Sequence, residues 1–203
     1  MTQPATTRPV PTSAPQAQAK YQVRFDWASD GADAIARDAD VVVWVDVLPP
    51  VGSDGTTDAV VAALAAASPA AAIVEGGITT ASAVARWILD EQVRLGRRAM
   101  ISIVAAGGLT ASGAPRFAVE DQLGAGAIVD ALASLGIDYT SPEAAAACAA
   151  FLGLRGAVAH LLTASVSGQE QVAAGRQPAE IAPLGRLDTD GTVVVVRAAP
   201  EPE

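Results

Sequence analysis

Four carboxylates and three glycine-rich turns carry the chemistry that this sequence offers. Asp46 follows the apolar run Val41-Val42-Val43-Trp44-Val45, and Glu75 follows Ala71-Ala72-Ile73-Val74. Glu120-Asp121 open a long stretch rich in Ala and Gly. The turns are Gly52-Ser53-Asp54-Gly55-Thr56-Thr57, Glu75-Gly76-Gly77-Ile78-Thr79-Thr80 and Ala106-Gly107-Gly108-Leu109-Thr110-Ala111-Ser112-Gly113. Glycine lets a backbone turn its N–H groups toward an anion, hydroxyls add donors, and a helix N-terminus adds partial positive charge. Phosphate suits that geometry, with Thr79, Thr80, Gly107 and Gly108 as candidate contacts. Magnesium takes one or two protein carboxylates plus waters and phosphate oxygens, so the sparse acids suffice for it. The same residues also have plainer uses. Gly, Ser and Thr build tight turns and N-caps, and acids in a first helical turn complement the helix dipole. A charge at the end of a buried strand is costly unless it is capped, paired or bound to a cation, which leaves Asp46 open between structure and function.

Other motifs fail on context. Asp188-Thr189-Asp190-Gly191-Thr192 has the letters of the D-x-D-G-T phosphatase loop, but it precedes a strand near the end of the chain and reads as a turn. Cys148 cannot head a C-x5-R loop, because Leu154 stands where Arg is required and Arg155 is one residue late. Its Ala-rich setting reads as a small buried side chain. His160, beside Leu161 and Leu162, reads as a packed or capping histidine.

Elements able to position the acids alternate along the chain. Val41 to Val45, Ala71 to Val74 and Ile101 to Ala105 are short, apolar and largely β-branched, as strands covered on both faces are. Tyr21 to Trp27 alternates like a more exposed strand, and Val193 to Val196 reads as a last one. Helical spacing or propensity marks Ser29–Arg37, Thr57–Ala67, Thr80–Leu95, Val119–Leu135, Ser141–Phe151 and Leu154–Ala164. Ser141-Pro142-Glu143 predicts an N-cap followed by Pro, and Ser167 with Glu170 predicts a capping box. The expected fold is α/β, a layered α/β/α domain over residues 21–197 with a mainly parallel sheet. Residues 1–20, rich in Pro, Thr, Gln and Ala, read as a disordered tail, and residues 198–203 as a frayed end.

Composition narrows the ligand. Hydrophobic residues make up 51% of the 203 and charged ones only 17%, which is enough apolar material for a core. The formal charge is −9 with a single lysine, Lys20, and no basic stripe, which argues against nucleic acid. One His and one Cys exclude His-rich metal sites, Cys-based zinc sites and an internal disulfide framework, and point to a reducing, cytoplasmic setting. No uninterrupted apolar run reaches the roughly 20 residues of a membrane span.

In chain order, several stretches resemble the magnesium-dependent 2-phosphosulfolactate phosphatases. They are Tyr21-Gln22-Val23-Arg24-Phe25-Asp26-Trp27, the V-D-V-L ending of the strand through Asp46, Ala81-Ser82-Ala83-Val84-Ala85 and Ile103-Val104-Ala105-Ala106-Gly107. Arg116-Phe117-Ala118-Val119-Glu120-Asp121-Gln122-Leu123-Gly124-Ala125-Gly126-Ala127-Ile128 follows, then Ser141-Pro142-Glu143-Ala144 and Ser165-Val166-Ser167-Gly168-Gln169-Glu170. The resemblance implies that family's α/β fold and magnesium-dependent hydrolysis of (2R)-phosphosulfolactate to sulfolactate and phosphate. Carried over by position, it implies that Asp46 and Asp121 approach the metal, directly or through water. It further implies that Glu120 orients a water or a neighbouring group, and that Arg116 holds a phosphate or sulfonate oxygen.

The chain departs from that pattern in two places. After V-D-V-L it reads Pro49-Pro50-Val51-Gly52-Ser53-Asp54-Gly55-Thr56-Thr57 where the family has a Ser/Thr-rich stretch, and several dozen residues are missing before Ala81. Two expectations follow: a phosphatase acting on a small phosphorylated or sulfonated anion, or a non-catalytic relative that binds a small anion or forms oligomers. Ala-rich helices make a homodimer the slightly favoured assembly.

Overall fold

The computed structural model describes residues 14–53, 56–110 and 112–200. Four parallel strands, β1 (Val23–Trp27), β2 (Val41–Val45), β3 (Ala72–Gly76) and β4 (Ile101–Ala105), lie in the order β1-β4-β2-β3. Two short strands, β5 (Gly108–Leu109) and β6 (Pro115–Arg116), pair apart from the main sheet, which β7 (Val195–Arg197) closes antiparallel to β3. The helices are α1 (Ala28–Ile35), α2 (Asp58–Ala67), α3 (Ala81–Leu95), α4 (Val119–Ser134), α5 (Pro142–Leu154), α6 (Val158–Ala164), α7 (Val166–Ala173) and α8 (Pro178–Ile181). The result is a mixed α/β fold with a mainly parallel five-stranded sheet.

Central strand β2 explains why its sequence is a continuous apolar run. Successive side chains point to opposite faces. Val41, Val43 and Val45 enter a core with residues of α3, α4 and α5, while Val42 and Trp44 enter a second core with Ala32 and Ile35 of α1 and Leu64 of α2. Helices therefore cover both faces, and every β2 residue is buried. Among the described residues no single helix is long and apolar enough to cross a membrane.

Most helix starts lie where the sequence places them. Thr57 caps α2, and Ser141 accepts the Ala144 N–H at 3.1 Å ahead of Pro142. The expected box at Ser167 and Glu170 does not form. Ser165 caps instead, accepting from Gly168 N at 3.0 Å, because it is the extended residue between α6 and α7.

The tail expected over residues 1–20 is corrected from residue 14 onward, residues 1–13 lying outside the described residues. Pro15–Ala17 forms a 3-10 turn, and Gln18 behind it docks on edge strand β1. Its side-chain amide donates to Phe25 O at 2.9 Å and accepts from Phe25 N at 3.1 Å, supplying what a neighbouring strand would. Arg24, fully buried, donates to the Tyr21, Ile35 and Ala19 carbonyls and to both oxygens of Asp38. This shielding is why β1 is not the exposed strand its alternation predicts: Val23, Arg24 and Phe25 are all buried. Ala198–Pro200 has no regular structure, and residues 201–203 lie outside the described residues.

Candidate functional site

The acids meet at the carboxyl edge of the sheet because α4 presses closely on it. A Cβ at Gly124 would lie 2.8 Å from Val45 Cγ1 and 2.9 Å from Val47 Cγ2, and one at Gly126 would overlap the Ala147 carbonyl of α5. The run Gly124-Ala125-Gly126-Ala127 thus reads as close helix approach, and it brings the first turn of α4 against the strand ends. Glu120 and Asp121 occupy that turn, 1% and 2% exposed.

Asp121 ties two loops together. Its Oδ1 accepts from Val47 N at 2.8 Å, just beyond β2, and its Oδ2 accepts from Gly107 N at 2.9 Å, just beyond β4. Burial nevertheless pushes its carboxyl well above the usual range, against the pull of the Val47 amide, with the charges of Asp46 and Glu120 adding to the rise. Asp46 is pushed up to about 6, by burial first and then by the charges of Glu120 and Glu75. Glu120 Oε2 is buried and has no hydrogen-bond partner among the described residues. Among those residues, no group of three or more Asp, Glu, His or Cys is placed to hold one metal ion. Two carboxylates with waters remain enough for magnesium.

A cavity of about 320 Å³ opens beside Asp46 at the ends of β2 and β3. Glu75, Thr79 and Thr80 line it with Asp46, as do Trp44 and Thr56. The Gly76-Gly77 turn also lies in the wall, where Thr80 Oγ1 accepts from Gly77 N at 3.2 Å. The structure thus brings Asp46, Thr79 and Thr80 into one cavity.

Arg116, Gly107 and Gly108 do not line it. Arg116 pairs with Gly108 in the β5-β6 ribbon and donates to Phe117 O and to Ser167 Oγ, at 3.0 and 3.1 Å. A Cβ at Gly108 would meet that guanidinium, so a side chain there would displace Arg116 from its present position. Gly107 has a φ of +70° and gives its N–H to Asp121. The third glycine turn therefore works in this structure as a scaffold, with residue 111 outside the described residues. Residues 54 and 55, in the first turn, are likewise outside them.

Two acid or hydroxyl residues of the cavity wall were not anticipated from sequence. Asp190 and Thr192, in the stretch read as a turn, form part of the wall. The turn reading stands locally, since Asp190 accepts from Thr192 N at 2.8 Å. What the motif did not reveal is its docking: Asp190 N donates to Thr79 O at 2.9 Å, while Asp188 accepts from the Ser82 N–H and hydroxyl at the start of α3. His160, expected to be a packed or capping histidine, is exposed within α6.

No protein-family model matches this chain, and no curated protein matches it in sequence. The motifs in their order are the whole of the family resemblance.

Proposed function

We propose that this chain hydrolyses a phosphate monoester with a magnesium ion held at Asp46 and Glu120, and that its fold is of the layered 2-phosphosulfolactate phosphatase kind. The observation that carries the reading is Glu120. Its Oε2 is buried without a hydrogen-bond partner among the described residues, in a cluster where burial and acid neighbours have pushed Asp46 up to about 6. Unpaired buried carboxylates are unfavourable for the protein alone and become favourable with a cation among them. Bound there, magnesium would polarise phosphoryl oxygens and offset charge as the ester bond breaks.

The protein's own groups then divide the work. Asp46 and Glu120 would hold the ion, directly or through its waters. Asp121, each of whose oxygens already accepts a backbone amide, positions the loops after β2 and β4. Thr80 accepts from Gly77 with its oxygen, so its hydroxyl proton is free to donate to a phosphate oxygen, and Thr79 lines the same wall. The resemblance names 2-phosphosulfolactate as substrate.

A second reading, a non-catalytic relative that binds a small ligand, is favoured by one observation. Arg116 and the Gly107 N–H, both expected to hold substrate, are engaged with other groups of the protein. Phosphate release from 2-phosphosulfolactate and generic monoesters, with magnesium and with chelator, separates the two. Metal-dependent release supports the phosphatase, and absence of release from every monoester supports the binding module.

A further inference from the structure

A second cavity, of about 200 Å³, opens between the loop that follows β2 and the end of α7. It shares no lining residue with the cavity beside Asp46. Pro49, Pro50, Val51 and Ala174 give it apolar walls, and Arg176 gives it a positive charge, with no acid among the described residues that line it. The chain as a whole carries 22 acidic residues against 13 basic ones, and the first cavity is lined by three carboxylates. The second is its electrostatic opposite.

Local structure fixes where the cation points. α7 ends at Ala173, Gly175 takes a φ of +102°, and the N–H groups of Gly175 and Arg176 donate to Val172 O and Gln171 O, both at 3.0 Å. This glycine cap turns the chain back so that Arg176 lies beside Gln171. Gln171 is buried, 6% exposed, and its amide makes two bonds: Nε2 donates to Pro49 O at 2.8 Å, and Oε1 accepts from Arg176 Nη1. One glutamine thus ties the guanidinium to the loop that forms the facing wall. A basic residue after a helix also complements the helix dipole, but the dipole does not require a buried side chain to orient it.

That bond leaves most of the guanidinium unused. Gln171 is neutral, and Arg176 forms no ion pair among the described residues. Its Nε and Nη2 have no acceptor there and, unlike Arg116 Nε, are not buried. These two nitrogens form one edge of the guanidinium, and a carboxylate accepts from such an edge with both oxygens in one plane. A single positive charge in an acidic protein offsets a single negative one, which favours a monoanion over a phosphate dianion. The apolar walls suit a short carbon chain, and the volume is below the range of drug-sized ligands.

We propose that this cavity is a binding site for a small aliphatic monocarboxylate, held by Arg176, with Gln171 positioning the guanidinium. The proposal goes beyond the phosphatase reading and uses none of the residues of the Asp46 site, so either can fail without the other.

The test is a titration of the full chain, free of metal and in low-chloride buffer, with butyrate, butanol and sulfate. The Arg176 Nε–H and Gly52 N–H signals are followed by NMR, Gly52 being part of the cavity lining. Butyrate is expected to shift both saturably, while butanol and sulfate leave them in place. Arg176→Gln, which removes the charge, and Arg176→Lys, which keeps the charge but loses the planar fork, should each weaken butyrate about tenfold or more. Should Arg176→Gln fail to fold, Arg176→Lys decides through the Gly52 signal. The proposal is overturned if butyrate moves neither signal, if butanol moves them equally, if sulfate binds as tightly as butyrate, or if the folded variants bind butyrate as well as the native chain.

Discussion

Asp121 and Val47 are 74 residues apart in the chain, yet the Asp121 carboxylate accepts the Val47 N–H at 2.8 Å. The other oxygen of the same carboxylate accepts from Gly107 N, so one buried side chain fixes the loops that follow two neighbouring strands. The site depends on that tie, since Asp46 is the residue immediately before Val47.

Asp121→Ala should orphan both backbone donors and destabilise the protein by about 2–6 kcal/mol, each unsatisfied buried group costing roughly 1–3 kcal/mol. Urea denaturation followed by circular dichroism measures this. A loss below about 1 kcal/mol would mean that the loops hold themselves.

Gly126→Ala tests the helix approach that brings the acids to the sheet. The added methyl would collide with the Ala147 carbonyl and lie 2.7 Å from Phe151 Cβ, and neither group is the far end of a flexible side chain. Overpacking of this kind costs about 1–3 kcal/mol, and denaturation midpoints would register it. Gly136→Ala would not serve as a control, because Gly136 has a φ of +83° and the substitution would be strained for a different reason. Gly153, with open space around it, is the suitable comparison.

The metal-free protein should lose stability as pH rises from about 4 to about 6. Asp46 holds its proton more tightly when folded, at about 6 against an ordinary 3.8, so its contribution is fully present at low pH and is lost as it ionises. The shift corresponds to at most about 3 kcal/mol, at about 1.4 kcal/mol per pH unit. Asp121, raised in the same direction, adds to the trend. Thermal melts in chelator across this range should therefore fall, and Asp46→Asn should flatten the fall and raise the melting temperature at pH 7. A native profile that rises between pH 4 and 6 would contradict the electrostatic account.

Gln18→Ala removes both side-chain bonds to the Phe25 backbone and should cost about 1–3 kcal/mol. Faster hydrogen exchange at the Phe25 amide would locate the effect on β1, and unchanged exchange would show that the edge is protected by other means.

The parts of the fold legible in the sequence are those that depend on local pattern. Val41 to Val45 could be read as a doubly covered strand because all five residues are apolar and none is Gly or Pro, and Ser141-Pro142 signals a helix start without reference to the rest of the chain. Long-range pairing was not legible. Gln18 lies in a stretch whose composition suggests disorder, and only the edge of β1 gives its amide a use. Asp190 and Thr192 enter the cavity wall because the segment before β7 returns across β3, with Glu75 N donating to Val194 O at 3.0 Å. Arg116 showed its charge in the sequence but not its neighbours, and Ser167 and Phe117 take up the guanidinium. Trp44 read as part of a doubly covered strand, which it is, but that its buried Nε1 finds no hydrogen-bond partner among the described residues has no signature in one dimension.

The central claim, a divalent ion held by Asp46 and Glu120, is tested most directly by titrating magnesium into the metal-free protein at pH 7 in a calorimeter. The native chain should bind one ion, with Asp46→Asn and Glu120→Gln each weakening it about tenfold or more, as expected for loss of a charged contact. Absence of binding to the native chain, or equal binding by both variants, would contradict the account.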